Sequence, residues 1–257
     1  MREGRRLRVS RIVAADASGA RTLRGLLCGT HPPGRVAISV GALNGHPIKL
    51  RPGTTDAEVA VATVVGRCHL PPPELRRIRS IWDIGANVGL TTADLAERYQ
   101  RAQIVALEPH PANFELAVVN VAPYADRCIL MQSAAWTRDG RVRLEGEDGP
   151  EDGYRIDEAR SGIAIDAVAL NTLLLRHGPH DYVKLDIEGG EARLLTEATQ
   201  WSAYVRCISV ECHPPYSLAG CEADLDRLGF LTVAFPQTLR RRGRDCVIGM
   251  RRQEGGS

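Results

Sequence analysis

The sequence predicts an α/β fold built on a mostly parallel sheet with helices on both faces. Three observations lead there. From Ile78 onward, short apolar runs alternate with helical segments, the spacing of parallel strands joined by crossover helices. A glycine-punctuated turn, Asp83-Ile84-Gly85-Ala86-Asn87-Val88-Gly89, directly follows the first of these runs. Two closing runs, Phe230–Ala234 and Cys246–Met250, lie close enough in the chain to form an antiparallel edge pair.

Taken in order, residues 1–75 differ from the rest and read as an N-terminal cap or substrate layer, with the main domain at 76–252. They are broken by His31-Pro32-Pro33-Gly34 and Arg51-Pro52-Gly53 and end in Pro71-Pro72-Pro73. Val36–Val40 and Pro47–Leu50 read as two short strands of a hairpin. Asp56–Val65 reads as a helix capped by Thr54, Thr55 or Asp56. The sheet strands are expected at Ser80–Ile84, Gln103–Leu107, Cys128–Met131, Asp181–Ile187 and Val205–Glu211. Helices are expected at Thr91–Arg98, Ala112–Val121, near Leu170–Arg176, and at Gly190–Ala198. With the closing pair this makes seven strands. The insertion Arg138–Ile165, whose tip Glu145–Asp152 is acidic and broken by Gly and Pro, reads as a solvated loop rather than a flap over the site.

Composition sets outer limits. The 257 residues are 44% hydrophobic and 25% charged, an ordinary globular balance that argues against disorder or a disulfide scaffold. A net charge of +2 does not mark a nucleic-acid binder. The seven cysteines contain no CxxC pair, so neither a zinc site nor a disulfide framework follows. The basic start is followed by an apolar stretch, Ile12–Ala17, that Asp16 interrupts, so no signal peptide is read. No run approaches a membrane span of ~20 apolar residues. The expectation is a cytoplasmic protein without membrane or nucleic-acid partners; a homodimer is a further expectation. Of the 33 basic residues only Lys49 and Lys184 are lysines, a bias toward arginine that makes each surviving lysine conspicuous.

In a parallel sheet, ligands bind beyond the carboxyl ends of the strands, where strand order reverses. Gly85 and Gly89 let the loop turn tightly and approach a ligand closely. Asp83 supplies a carboxylate at the strand end, and Glu108-Pro109 ends the next strand, where an acid can grip both hydroxyls of a ribose. The turn is not GxGxxG, and no Lys-Ser/Thr follows it, so a P-loop is excluded. A glycine-rich turn with an acid at the next strand end points to an adenosine-bearing cofactor.

These residues resemble the S-adenosylmethionine site of class I methyltransferases. Leu50-Arg51-Pro52-Gly53-Thr54-Thr55-Asp56, Lys184-Leu185-Asp186-Ile187-Glu188-Gly189-Gly190-Glu191 and Val210-Glu211-Cys212-His213 narrow the resemblance to the FkbM family, over roughly residues 36–250. The resemblance implies a Rossmann-like fold with S-adenosyl-L-methionine as cofactor. Gly85, Ala86 and Gly89 would face its methionine moiety, with Asp83 and Asn87 beside them. Glu108 would hold the ribose hydroxyls, Asn113 would brace the adjoining loop, and Ser133 and Ala134 would border the adenine. Where the family usually carries an aromatic residue beyond the RPGTTD helix, this chain has Arg67-Cys68-His69-Leu70.

Methyl transfer from a sulfonium needs an in-line nucleophile held close, and an alcohol acceptor gains roughly 100- to 10,000-fold from a base. Alternation puts Lys184, Asp186 and Glu188 on one side of an extended strand. Lys184, Asp186, Glu211 and His213 are therefore the catalytic candidates, Lys184 through pairing with Asp186 or Glu211 and His213 as a base oriented by a carboxylate. Asp56, Glu188 and Tyr216 are the candidates for the acceptor side. Asp186, Glu211 and His213 have no metal-ligand spacing signature, so no metal is expected. His213-Pro214-Pro215-Tyr216 resembles the Pro-Pro-Tyr motif of amine methyltransferases but follows the fifth strand, not the fourth. Arg240–Arg244 reads as a solvated hairpin loop. The expected activity is O-methylation of a small natural product or sugar; methylation of nitrogen in nucleic acid or protein is the alternative.

Overall fold

The computed structural model describes residues 3–31, 34–145, 155–157, 162–233 and 246–252. Helices α1 (Glu3–Val13) and α2 (Ala17–Cys28) come first, then the hairpin β1 (Val36–Ser39) and β2 (Pro47–Leu50) and helix α3 (Asp56–Val61). The alternating part runs β3 (Ser80–Ile84), α4 (Leu90–Arg98), β4 (Gln103–Leu107), α5 (Pro111–Val121) and β5 (Cys128–Met131). Four strands follow: β6 (Ala134–Trp136), β7 (Gly140–Glu145), β8 (Arg155–Asp157) and β9 (Ile163–Ala169). Then come α6 (Leu170–His177), β10 (His180–Leu185), α7 (Glu191–Thr196), β11 (Val205–Glu211), α8 (Leu218–Arg227), β12 (Phe230–Val233) and β13 (Cys246–Arg251).

The main sheet has seven strands in the order β12-β13-β11-β10-β3-β4-β5. β11, β10, β3, β4 and β5 are parallel, and β13 runs antiparallel to both β11 and β12. Strand order therefore reverses between β3 and β10, which opens a crevice at their carboxyl ends. Alternation along each strand divides the core in two. Ile81, Ile104, Tyr182, Cys207 and Ile248 face α4, α5 and the N-terminal layer. Trp82, Ile84, Val183, Leu185, Ile208 and Val210 face α6, α7 and α8. Strands buried on both faces read as nearly continuous apolar runs, and four of the five predicted parallel strands match residue for residue.

Two parts of the chain differ from expectation. The N-terminal layer contains α1 and α2 ahead of the hairpin. Asp16, which seemed only to interrupt an apolar stretch, is the N-cap of α2: its carboxylate accepts a 2.7 Å bond from the Gly19 amide. Val9, Val13, Leu23 and Leu27 of these helices join the core that Ile81 and Ile104 build, so the layer shares the sheet's own core. The insertion after β5 is a second sheet, of order β6-β9-β7-β8, with a small core of its own around Trp136, Val142 and Ile165. Its acidic tip beyond Glu145, like Arg240–Arg244 and Ala234, lies outside the described residues.

Candidate functional site

The loop after β3 is bent so tightly that one position admits only glycine. Gly85 has φ +90°, and a Cβ there would stand 1.7 Å from the Asp186 carbonyl oxygen. That contact joins the loop to the end of β10 across the crevice, and the Asp186 amide donates to the Ile84 carbonyl at 2.9 Å. Gly89, φ +81°, starts α4, and a Cβ there would lie 2.9 Å from the Ala117 Cα of α5. The loop is fixed from behind by Asn120, whose amide donates to Lys49 and Val88 carbonyls at 3.1 and 2.8 Å.

Asp83 is fully buried. One carboxylate oxygen accepts from both Thr91 and Thr92 hydroxyls at 2.7 Å, and the other pairs with Lys184 Nζ at 3.2 Å. Lys184 Nζ also reaches the Gly85 carbonyl at 3.0 Å and Asp186 Oδ2 at 3.2 Å. Burial alone would lower the lysine pKa, but Asp186, Asp83 and Glu211 together raise it above the ordinary value, so the ammonium persists. It is a charged brace between the ends of β3 and β10, touching the carboxylate predicted as its partner.

Glu108 is buried at the end of β4. Its two oxygens accept from the Asn87 and His110 amides at 2.8 and 2.9 Å. Burial, opposed by these bonds and by Asn113, raises its pKa to about 7. A carboxylate offers roughly four lone-pair sites; Asn87, His110 and Asn113 take three, the fourth stays available to a ribose hydroxyl, and the residues present fit the cofactor. Asn113 also accepts from Arg51 at 2.8 Å, and Arg51 is held by Asp56 through bonds of 2.8 and 3.0 Å. Asp56 is buried in this network away from the cavity, so the structure does not place it where an acceptor would lie.

The cavity at the crevice is lined by Gly85, Ala86, Asn87, Lys184, Asp186, Glu188 and Glu211 among the predicted residues. β10 does not stay extended to Glu188: the strand ends at Leu185, and Glu188 takes φ +59° in a turn that brings it to the same cavity. His213 meets carboxylates at both nitrogens: Nδ1 is 2.8 Å from Glu191 Oε1, and Nε2 is 3.1 Å from Glu188 Oε2 and 3.8 Å from Asp186 Oδ1. Burial would lower its pKa, but Glu188 and Glu191 raise it to about 11. With a proton on each nitrogen it is a donor, and the expected role of proton acceptor is not what this geometry offers.

Tyr216 turns its hydroxyl to Asp224 at 2.7 Å. Ser133 donates to the Asp166 carbonyl at 3.1 Å, and Ala134 begins β6, so both lie just past β5 as expected but outside the cavity lining. The sequence reading missed Thr91 and Thr92 on Asp83, and Glu191 on His213. It also assigned nothing to His69, which lines the cavity and sits 2.9 Å from the buried Asp94. Burial would raise the Asp94 pKa, but bonds from His69 and Arg98 lower it. Only the unusual Arg-Cys-His-Leu segment hinted at His69.

A seven-stranded sheet of this order with a glycine loop after β3 and an acid after β4 defines a class I methyltransferase that uses S-adenosylmethionine. Residues 83–244 match the methyltransferase FkbM domain, and the chain belongs to that family. No curated protein matches it in sequence. Among solved structures it is similar to precorrin-6y C5,15-methyltransferase from Geobacter metallireducens, with 14% identity and a TM-score of 0.42 over 74% of this chain and 88% of that one. The Methanococcus jannaschii fibrillarin pre-rRNA processing protein gives 13% identity and 0.45 over 86% and 83%. The S-adenosylmethionine-dependent methyltransferase SibL in its apo form gives 15% and 0.46 over 77% and 57%.

Proposed function

We propose that the chain transfers the methyl group of S-adenosylmethionine to a hydroxyl of a small molecule such as a natural product or sugar. The observation that carries this reading is the cavity lining: Asp186 and Glu188 stand at the crevice where the cofactor loop meets β10. Carboxylates there accept the hydrogen bond of a hydroxyl and then its proton, while the crevice holds the oxygen in line with the methyl carbon. Glu108 is the proposed ribose ligand, Gly85 and Ala86 the floor under the methionine moiety, and Lys184 the brace that keeps Asp83 and Asp186 in register. The N-terminal layer is the proposed cover, since Val59, Thr63 and His69 supply the opposite wall.

Methylation of nitrogen draws on the His213-Pro214-Pro215-Tyr216 turn, yet His213 there is engaged by Glu188 and Glu191 and Tyr216 by Asp224. Neither arrangement supports gripping an amine. Incubating the protein with labelled cofactor and either polyhydroxylated small molecules or oligonucleotides and peptides separates the readings. Label on a hydroxyl oxygen supports the proposal; label only on nitrogen of a nucleic acid or protein overturns it. Asp186→Asn is expected to lower kcat roughly 100- to 10,000-fold while S-adenosylhomocysteine still binds. Unchanged kcat would remove Asp186 from the chemistry.

A further inference from the structure

Asp186, Glu211 and His213 come together from two adjacent strand ends. Each offers one ligand atom, and these atoms all lie within 4.8 Å of one another. Asp186 Oδ1 and His213 Nε2 are 3.8 Å apart, a separation that small side-chain rotations close onto a common ion. All three are only partly buried, and Asp186 and Glu211 line the cavity, so an entry path exists. The imidazole is oriented from behind. Its Nδ1 faces Glu191 Oε1 at 2.8 Å, and that oxygen is fixed by the Ile187 and Gly189 amides at 3.3 and 3.2 Å. Glu191 is fully buried. A buried carboxylate on one imidazole nitrogen is the usual support of a metal-ligating histidine; the other nitrogen, which shares its proton with Glu188 at 3.1 Å, releases that proton when the ion binds.

We propose that Asp186, Glu211 and His213 form a binding site for a hard divalent cation, Mg²⁺ or Mn²⁺, at the cavity wall beside the cofactor. Two carboxylates and one imidazole suit these ions, which keep further coordination positions for water or substrate oxygen. No spacing in the sequence announces the site, because its ligands are gathered by the pairing of β10 with β11. Its bearing on catalysis rests on the hydroxyl-acceptor reading; cation binding itself does not. An acceptor hydroxyl that enters an open position is polarised by the ion and loses its proton more readily. The O–C bond then forms as the C–S bond of the sulfonium breaks, its electron pair remains on sulfur, and the hydroxyl proton passes to the Glu188 carboxylate. The acceptor class this favours is a hydroxyl with a neighbouring oxygen, able to chelate.

The test is Mn²⁺ binding to the full chain, read from the loss of the free-ion electron paramagnetic resonance signal. Calorimetry with S-adenosylhomocysteine on the same samples reports the fold and the cofactor site separately. One saturable Mn²⁺ per chain is expected, weakened at least ~10-fold in Glu211→Ala and in His213→Ala, and ~10- to 100-fold in the supporting variant Glu191→Gln. Absence of saturable binding to wild-type protein that binds S-adenosylhomocysteine overturns the cation site and leaves the methyltransferase reading intact. Binding that none of the three variants weakens places the ion elsewhere and overturns it equally.

Discussion

At the scale of single residues, the site depends on groups that tolerate no near relative. Gly85→Ala adds a Cβ where the Asp186 carbonyl already stands and where φ is positive, so a loss of at least ~2 kcal/mol in chemical denaturation is expected. Lys184 explains why one lysine survives in an arginine-rich chain. A compact ammonium reaches Asp83, Asp186 and the Gly85 carbonyl together, and a planar guanidinium does not fit that space in the same way. Lys184→Met removes the cation that Asp83 and Asp186 share and is expected to cost about 3–5 kcal/mol, with Lys184→Arg failing to restore it. Glu108 gives a pH signature. Its folded pKa of about 7 lies above the ordinary 4.5, so the fold favours the protonated form. Stability from this group is full below pH 4.5 and falls as pH rises to about 7, by roughly 3 kcal/mol. Cofactor affinity moves the other way, rising from pH 6 to 8 as the carboxylate becomes available to the ribose. Melting curves and calorimetry across that range check both slopes, and Glu108→Gln is expected to flatten them.

At the scale of elements, legibility followed burial. β3, β4, β5 and β11 were readable to the residue: β3, β4 and β11 lie inside the sheet, where strands covered on both faces carry nearly continuous apolar runs, and the edge strand β5 is four apolar residues although Ile129 is exposed. Helices α1 and α2 were not, since α1 is studded with arginines and buries only a narrow stripe around Val9 and Val13. The sheet β6–β9 escaped notice for a related reason: β6 and β8 have three residues each, and β7 alternates arginine with apolar residues. In the site, the residues on the loop after β3 and at the ends of β4 and β10 were legible from glycine and carboxylate positions. Thr91, His69 and Glu191 were not, because each matters only through a partner from a different turn or helix. Asn120 belongs to this hidden set. It ties β2 to the loop through both its amide and its carbonyl, which accepts the Lys49 amide at 2.7 Å. Asn120→Ala is expected to cost about 2–3 kcal/mol and to weaken cofactor binding in calorimetry, although Asn120 is absent from the cavity wall.

At the scale of the whole molecule, the reversal of strand order between β3 and β10 brings Gly85, Ala86, Lys184, Asp186, Glu188 and Glu211 to one crevice. The N-terminal layer closes one side of it, and the carboxylates of β10 and β11 face it from the other. Among the described residues no helix is long and apolar enough to cross a membrane. Every proposed role in methyl transfer depends on cofactor binding at this crevice, and calorimetric titration of S-adenosylhomocysteine into the full chain tests it most directly. One molecule per chain is predicted, with affinity lost in Glu108→Ala. Folded protein that takes up no S-adenosylhomocysteine, or a Glu108→Ala variant that binds it as tightly as wild type, would contradict the account.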